Sequence, residues 1–357
     1  MRKKLVSVIC ILTLAVSGLC GCDSKQESTG GTQTGQSKEI NVMIWDSTYP
    51  DEVFDQFEEE TGIHVNVSYI TNTDELITKM VSGENEFDYV DVESAYVKTF
   101  VENGLLAKID YDKIPNSENI DDKFWGAVGD EKNEYTMPVS DNIYSLIVYN
   151  KETCPIEINS FKDLANSELK DQIVSVTASR TVIGMALASL GYDVNTTEES
   201  EIKEATDFLK SMKGNIKVFD GDSPSTELLN GECSVGIVYG GEAAKVMAEM
   251  PDDFEVANIE APILGKNDWF IPAGCAHKEA AEKFINYICD GKVMAQILDV
   301  YPYNNFNTAA LDYVGEAYKN NKALNLSQEV MDAAKSTTDL GDADVLYDTY
   351  WNEFMAQ

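Results

Sequence analysis

The chain has 357 residues, with 62 acidic against 27 basic side chains and a formal net charge of −35. A field of that sign repels phosphate backbones and anionic headgroups and gathers cations near the surface, which excludes nucleic acid as a partner. Most of these acids read as a solvated surface, and only acids at a cleft are candidates for ligand contact. The length exceeds what a single core usually organises, so two lobes are the expectation.

The chain opens with Arg2, Lys3 and Lys4, followed by an apolar run from Leu5 to Val16 that is too short to span a bilayer. Residues 1–21 therefore read as an export signal. Its end, Leu19-Cys20-Gly21-Cys22, resembles the bacterial lipobox, which makes Cys22 the expected site of lipidation and the lipid the sole attachment to the membrane. Residues 22–38, rich in Ser, Gly, Gln and Thr, have the composition of a flexible tether.

Beyond the tether, Ile40–Ile44 is apolar and strand-like, and Pro50 stands where a first helical turn accepts it. Val53, Phe54 and Phe57 share one face of the helix that follows, and Gly62 stops it. Ile63, Val65, Val67 and Tyr69 alternate as a second strand. Thr73 then caps a helix expected to turn Leu76, Ile77, Met80 and Val81 toward the core, and Phe87–Val92 is a third strand. This βαβαβ order predicts a parallel sheet covered by helices on both faces. The same grammar returns in Gln172–Val176, in a helix over Arg180–Leu190 that ends at Gly191, and in a strand over Cys233–Tyr239 before a helix from about Glu242. Leu146–Tyr149 and Phe254–Ile271 are the candidate crossings between the two sets.

Catalytic signatures are thin. His64 falls on the strand face opposite Ile63 and Val65, and His277 precedes a helix and reads as surface. No nucleophile elbow, zincin, P-loop or dinucleotide motif occurs. Cys154, Cys233, Cys275 and Cys289 lack metal-ligand spacing and read as free thiols, although an extracellular location permits a disulfide. No cofactor or metal is expected, and the protein is expected to be a monomer.

Ligands of open α/β sheets collect beyond the carboxyl ends of the strands. Those ends carry Trp45 to Tyr49, Glu93-Ser94, Thr177 to Thr181 and Tyr239-Gly240-Gly241. Aromatic faces and desolvated carboxylates both attract cations, so Trp45, Asp46, Glu93 and Tyr239 together suit an ammonium ligand.

Several blocks in order resemble the polyamine-binding (spermidine/putrescine) substrate-binding proteins of ABC importers, from about Ile40 to Phe354. They include Trp45 to Phe57 with Glu60-Thr61-Gly62-Ile63, Asn103-Gly104-Leu105, Met185-Ala186-Leu187 with Leu190-Gly191-Tyr192, Asn230-Gly231-Glu232, Ile271-Pro272-Ala273, Tyr301-Pro302 and Leu346-Tyr347. The resemblance implies a two-lobed, type II periplasmic-binding-protein-like α/β fold, each lobe a sheet flanked by helices and joined by crossing strands. It also implies closure on a small ligand and delivery to ABC permease subunits. One lobe is expected from residues 39–142 and 260–305, and the other from 143–259 and 306–357.

Carried over one at a time, Trp45 and Tyr301 match cleft aromatics of that family, and Tyr239 stands where it has another. The family's second-lobe acids fall at Ala178 and Thr181, a further Asp at Asn267 and the Trp before it near Gly265. A local shift by one residue would bring Asp268 into that position. Asp46, Glu93 and Asp141 are acids where the family is more often neutral. The expected ligand set is Trp45, Asp46, Thr48, Glu93, Ser94, Asp141, Thr181, Tyr239, Asn267, Asp268 and Tyr301. Two other readings stand beside it. The same machinery could take a different small polar solute, since the helix start at Ser179-Arg180-Thr181 suits an anionic group, and an extracellular enzyme could use a pair of cleft acids.

Overall fold

A computed structural model describes residues 38–45, 48–70, 73–82 and 86–356. The export signal, Cys22, all of the tether but Lys38, and Asp46 lie outside the described residues. Eleven strands make one sheet: β1 (Glu39–Trp45), β2 (His64–Ile70), β3 (Tyr89–Glu93), β4 (Thr136–Asn150), β5 (Ile173–Ser175), β6 (Ile216–Phe219), β7 (Val235–Tyr239), β8 (Phe254–Val256), β9 (Ile263–Phe270), β10 (Asn304–Asn305) and β11 (Lys335–Ser336).

The strand order is β2-β1-β3-β9-β4-β7-β5-β6. The pairs at either end of this order, β2-β1-β3 and β7-β5-β6, are parallel, as helical crossovers require. Between them β9 and β4 run antiparallel to their neighbours, so the sheet is mixed rather than parallel throughout. β4 and β9 are the two crossings. The first part of β4 lies beside the end of β9 near β3, while its second half pairs with β7. The expected crossings at Leu146–Tyr149 and within Phe254–Ile271 fall on these two strands, with β8 adding a short antiparallel pairing to the end of β4. Against β9, β4 changes register between Pro138 (opposite Asp268) and Asn142 (opposite Lys266), a bulge that lies midway between the two sets of parallel strands.

Apolar side chains settle into four buried clusters. Ile40, Val42 and Ile44 of β1 pack with Phe57, Phe284 and Leu298 on one face, and Met43, Val90, Val92 and Phe100 pack with Phe270 on the other. The second set repeats this, with Ile147, Ile183, Leu209 and Tyr347 on one face and Leu146, Val174, Val238 and Val246 on the other. Each fully buried aliphatic or aromatic side chain contributes about 1.5–3 kcal/mol, so both faces of both sheet halves are secured independently.

The helix Asp51–Thr61 buries Val53, Phe54 and Phe57 and ends at Gly62, whose φ of 71° lets its N–H reach the Glu58 carbonyl at 2.8 Å. In the helix Thr73–Ser82, Leu76 and Met80 are buried one turn apart, but Val81 is 59% exposed. A stripe centred on residues 76 and 80 places position 81 about 120° off the core direction, which corrects the expectation for Val81. The helix expected from about Glu242 begins at Gly240. His64 is exposed and pairs with Glu58 at 2.6 Å, whereas His277 is less exposed and meets the buried Asp88 at 3.0 Å. Cys154, Cys233, Cys275 and Cys289 are free thiols, with Cys233 and Cys289 buried.

Candidate ligand cleft

β3 runs antiparallel to β9 and ends at Glu93, while β11 runs parallel to β9 and ends at Ser336. The carboxyl ends of these two strands therefore face each other along the β9 edge, across Gly265 and Lys266. A cavity of about 570 Å³ opens there, lined by Glu93, Ser94, Lys98 and Thr99 on one side, Ser336 to Asp339 on the other and Leu264 to Lys266 along β9. That size suits a small solute.

Glu93 is half-buried. Burial raises its carboxyl pKa, partly offset by the Arg180 guanidinium, while the Asp344 carboxylate adds to the rise. Arg180 comes from the first turn of the helix Ser179–Leu190, on the far side of the sheet order from β3. It is bonded to Asp344, donates to the Asn195 side-chain oxygen at 3.0 Å and lies 4.4 Å over the Tyr347 ring. Tyr239, at the end of β7, has its hydroxyl pKa pushed up to about 12 by burial, with the Glu93 charge adding to the rise and Thr181 opposing it. Glu93, Thr181 and Tyr239, separated by up to 146 residues in the chain, thus share one electrostatic neighbourhood between the two sets of strands.

The other expected residues divide. Asn267 is the register partner of Glu93 and is buried, so its side chain lies on the Glu93 face within about 5 Å in Cβ terms. In the β3–β9 register Asp268 pairs with Val92, so it points to the face opposite Glu93 and Asn267. There it is 1% exposed, accepts a hydrogen bond from Ser94 Oγ and lies 3.7 Å from Lys266 Nζ. Burial raises the Asp268 pKa, and Lys266 and Ser94 oppose the rise.

Trp45 is half-buried against the cluster holding Met43 and Phe270, and its indole N–H has no hydrogen-bond partner among the described residues. Thr48 is buried and donates its hydroxyl to the Trp45 carbonyl at 2.7 Å. Asp141 falls in the β4 bulge, where its backbone pairs with Asn305.

Tyr301 packs against Tyr303, with ring centroids 4.2 Å apart and the planes tilted by 38°, and Tyr303 in turn sits against Gly241 two residues after Tyr239. A Cβ on Gly241 would stand 2.3 Å from Tyr303 Cε2 and 2.5 Å from its Cζ. Gly241→Ala is therefore expected to displace this ring, costing about 1–3 kcal/mol and disturbing Tyr301 as well. A fall in the denaturant midpoint at constant slope is the check. Lys266, Thr99 and the segment from Ser336 to Asp339 were missed by sequence reasoning, because none stands at the end of a strand recognisable by periodicity.

Two helix-covered halves of one sheet, crossing strands between them and a cavity along β9 lined largely by polar residues define a two-lobed α/β solute-binding protein. The chain belongs to the bacterial extracellular solute-binding protein family, whose model matches residues 52–325. It is 29% identical over 314 residues to the spermidine/putrescine-binding periplasmic protein of Salmonella typhimurium, covering 87% of this chain and 90% of that one. An ABC transporter chain from Listeria monocytogenes superposes with a TM-score of 0.81 at 26% identity, over 89% of this chain and 99% of that chain. The spermidine/putrescine ABC transporter substrate-binding protein PotD of Streptococcus pneumoniae superposes at 0.74 with 25% identity, over 90% and 99%. The chain is accordingly an extracytoplasmic solute-binding protein. Among the described residues no helix is long and apolar enough to cross a membrane, and no group of His, Cys, Asp and Glu is arranged to hold a metal ion.

Proposed function

We propose that this chain captures polyamines of the spermidine/putrescine type between its lobes and delivers them to the permease subunits of an ABC importer. The observation that carries this reading is the position of Glu93, a half-buried carboxylate on the cavity wall at the carboxyl end of β3, where a cation would relieve the cost of its burial. The neutral Asn267 is its cross-strand partner, so an acid on β3 stands where an acid on β9 would otherwise serve. The relatives that bind spermidine and putrescine, and the acidic field that gathers cations, support the same ligand class.

In this reading the ligand set comprises Trp45, Asp46, Glu93, Ser94, Asp141, Thr181, Tyr239, Asn267 and Tyr301, with Thr48 and Asp268 supporting the loops beside them. The lobes expected from the sequence are residues 39–142 with 260–305, and 143–259 with 306–357, and only the boundary after residue 305 moves. Packing of Phe306, Ala310 and Val314 into the cluster that holds Ile40 carries the first lobe on to about Val314. Closure bends β4 and β9 near the bulge after Pro138. Calorimetric titration with spermidine and putrescine tests the function directly, and no heat of binding at millimolar ligand would end the polyamine assignment.

The export signal over residues 1–21 directs the chain across the membrane and is removed, and the lipid on Cys22 with the tether of residues 22–38 then holds the body, a monomer, at the outer face of the cell membrane. Cys22→Ala is expected to move the protein from the detergent phase to the aqueous phase on phase partitioning. Retention in the detergent phase would count against the anchor.

A further inference from the structure

Pairing the charges that line the cavity leaves two carboxylates over. Lys266 lies 3.7 Å from Asp268 and donates to the Phe124 carbonyl at 2.8 Å. Lys98 lies 3.9 Å from Glu102, and Arg180 is held by Asp344 and Asn195. The Glu93 carboxylate, on the β3 wall, has neither a hydrogen bond nor an ion pair among the described residues, and the Arg180 guanidinium offsets its charge only in part. Asp339, on the opposite wall, has hydrogen bonds but no cation among the described residues.

Asp339 is also held firmly. Ser336 and Thr338 are pinned by Asn195, which donates to the Ser336 carbonyl at 2.9 Å and accepts from the Thr338 N–H at 2.9 Å. The Gly341 N–H reaches Asp339 Oδ1 at 2.8 Å. From the other side of the cavity, Thr99 Oγ1 donates to Asp339 Oδ2 at 2.6 Å, so one carboxylate both lines the cavity and ties its two walls together.

We propose that Glu93 and Asp339 bracket a ligand carrying two ammonium groups, one at each wall of the cavity, with Thr99 fixing the Asp339 carboxylate. The inference rests on the polyamine reading and goes beyond it by assigning the second anion and the ligand's polarity along the cavity. A diamine engages both carboxylates, whereas a monoamine of the same chain length leaves one of them bare and desolvated.

The test is calorimetric titration of the full chain and its variants Glu93→Gln, Asp339→Asn and Thr99→Val with putrescine and with butylamine, alongside thermal melting to show that each variant is folded. Each acid-to-amide change is expected to weaken putrescine by about ten- to a hundredfold, the scale of one lost charge-assisted hydrogen bond. Butylamine should bind the unsubstituted chain more weakly than putrescine and respond to only one of the two amide changes. Thr99→Val, which keeps both charges, should cost much less than Asp339→Asn. An unsubstituted chain that binds neither putrescine nor spermidine overturns the polyamine reading and this inference together. A chain that binds putrescine, with Asp339→Asn unchanged or no worse than Thr99→Val, overturns only this inference.

Discussion

Removing the carboxylate of Asp130 is expected to lower the unfolding free energy by about 3 kcal/mol or more, because no other described group replaces what it does. Asp130 is buried and accepts the backbone N–H groups of Glu134, Tyr135 and Thr136, each at 2.8 Å, together with the Thr136 hydroxyl at 3.1 Å. The chain turns around this carboxylate, helped by Asn133 at a φ of 56°, and enters β4 at Thr136. Alanine would strand three donors at the start of a strand that crosses between the lobes. Each orphaned buried donor costs about 1–3 kcal/mol, with the total less than additive because the loop can relax. Urea denaturation should show a lower midpoint with the slope preserved, and Asp130→Asn, which keeps one accepting oxygen, should fall between the two. A loss below about 1 kcal/mol for alanine would mean that solvent satisfies these groups and that the turn does not depend on the acid.

What could be read from the sequence follows from where each signal is stored. The first three strands and their helices were legible because Ile40–Ile44 and Leu76/Met80 carry clear periods, and because Gly62 and Gly191 mark helix ends that only their backbone conformation permits. The early part of β4 was not, since Pro138, Ser140, Asp141 and Asn142 interrupt any alternation just where the strand bulges. β11 has two residues and exists only through its pairing with β9, so Lys335-Ser336-Thr337-Thr338 reads locally as loop. The same division holds in the cleft. Glu93, Ser94 and Tyr239 stand at strand ends and were found by that rule alone. The side-by-side placement of Glu93 and Asn267 depends on the register between strands 174 residues apart, which no local pattern encodes. That register also separates Asn267 from Asp268, two neighbours in sequence whose side chains serve opposite faces of the sheet.

Glu93→Gln is expected to make the empty protein more stable at neutral pH while it weakens cation binding. The native carboxyl pKa is raised, first by burial and then by Asp344, with Arg180 only partly compensating. Below the ordinary carboxylate range the group is protonated in both folded and unfolded chains, and its ionisation costs nothing. As the pH rises through the unfolded value, the unfolded chain ionises first and stability falls, until the pH passes the raised native value and the loss is complete. Glutamine cannot ionise. The melting temperature of the variant should therefore match that of the unsubstituted protein near pH 4 and exceed it by about 1–3 °C at pH 7. Ligand reverses the order. A bound ammonium group favours the ionised carboxylate, so binding should release protons at pH values near the raised pKa and weaken as the pH falls through it. With saturating putrescine the unsubstituted protein should gain more in melting temperature than the variant, by mass action on the tighter complex. Melting curves from about pH 4 to pH 8, with and without putrescine, contain the whole comparison. A stability difference that does not change with pH would show that the Glu93 charge carries no burial cost, and the argument that this wall of the cavity is built for a cation would fail with it.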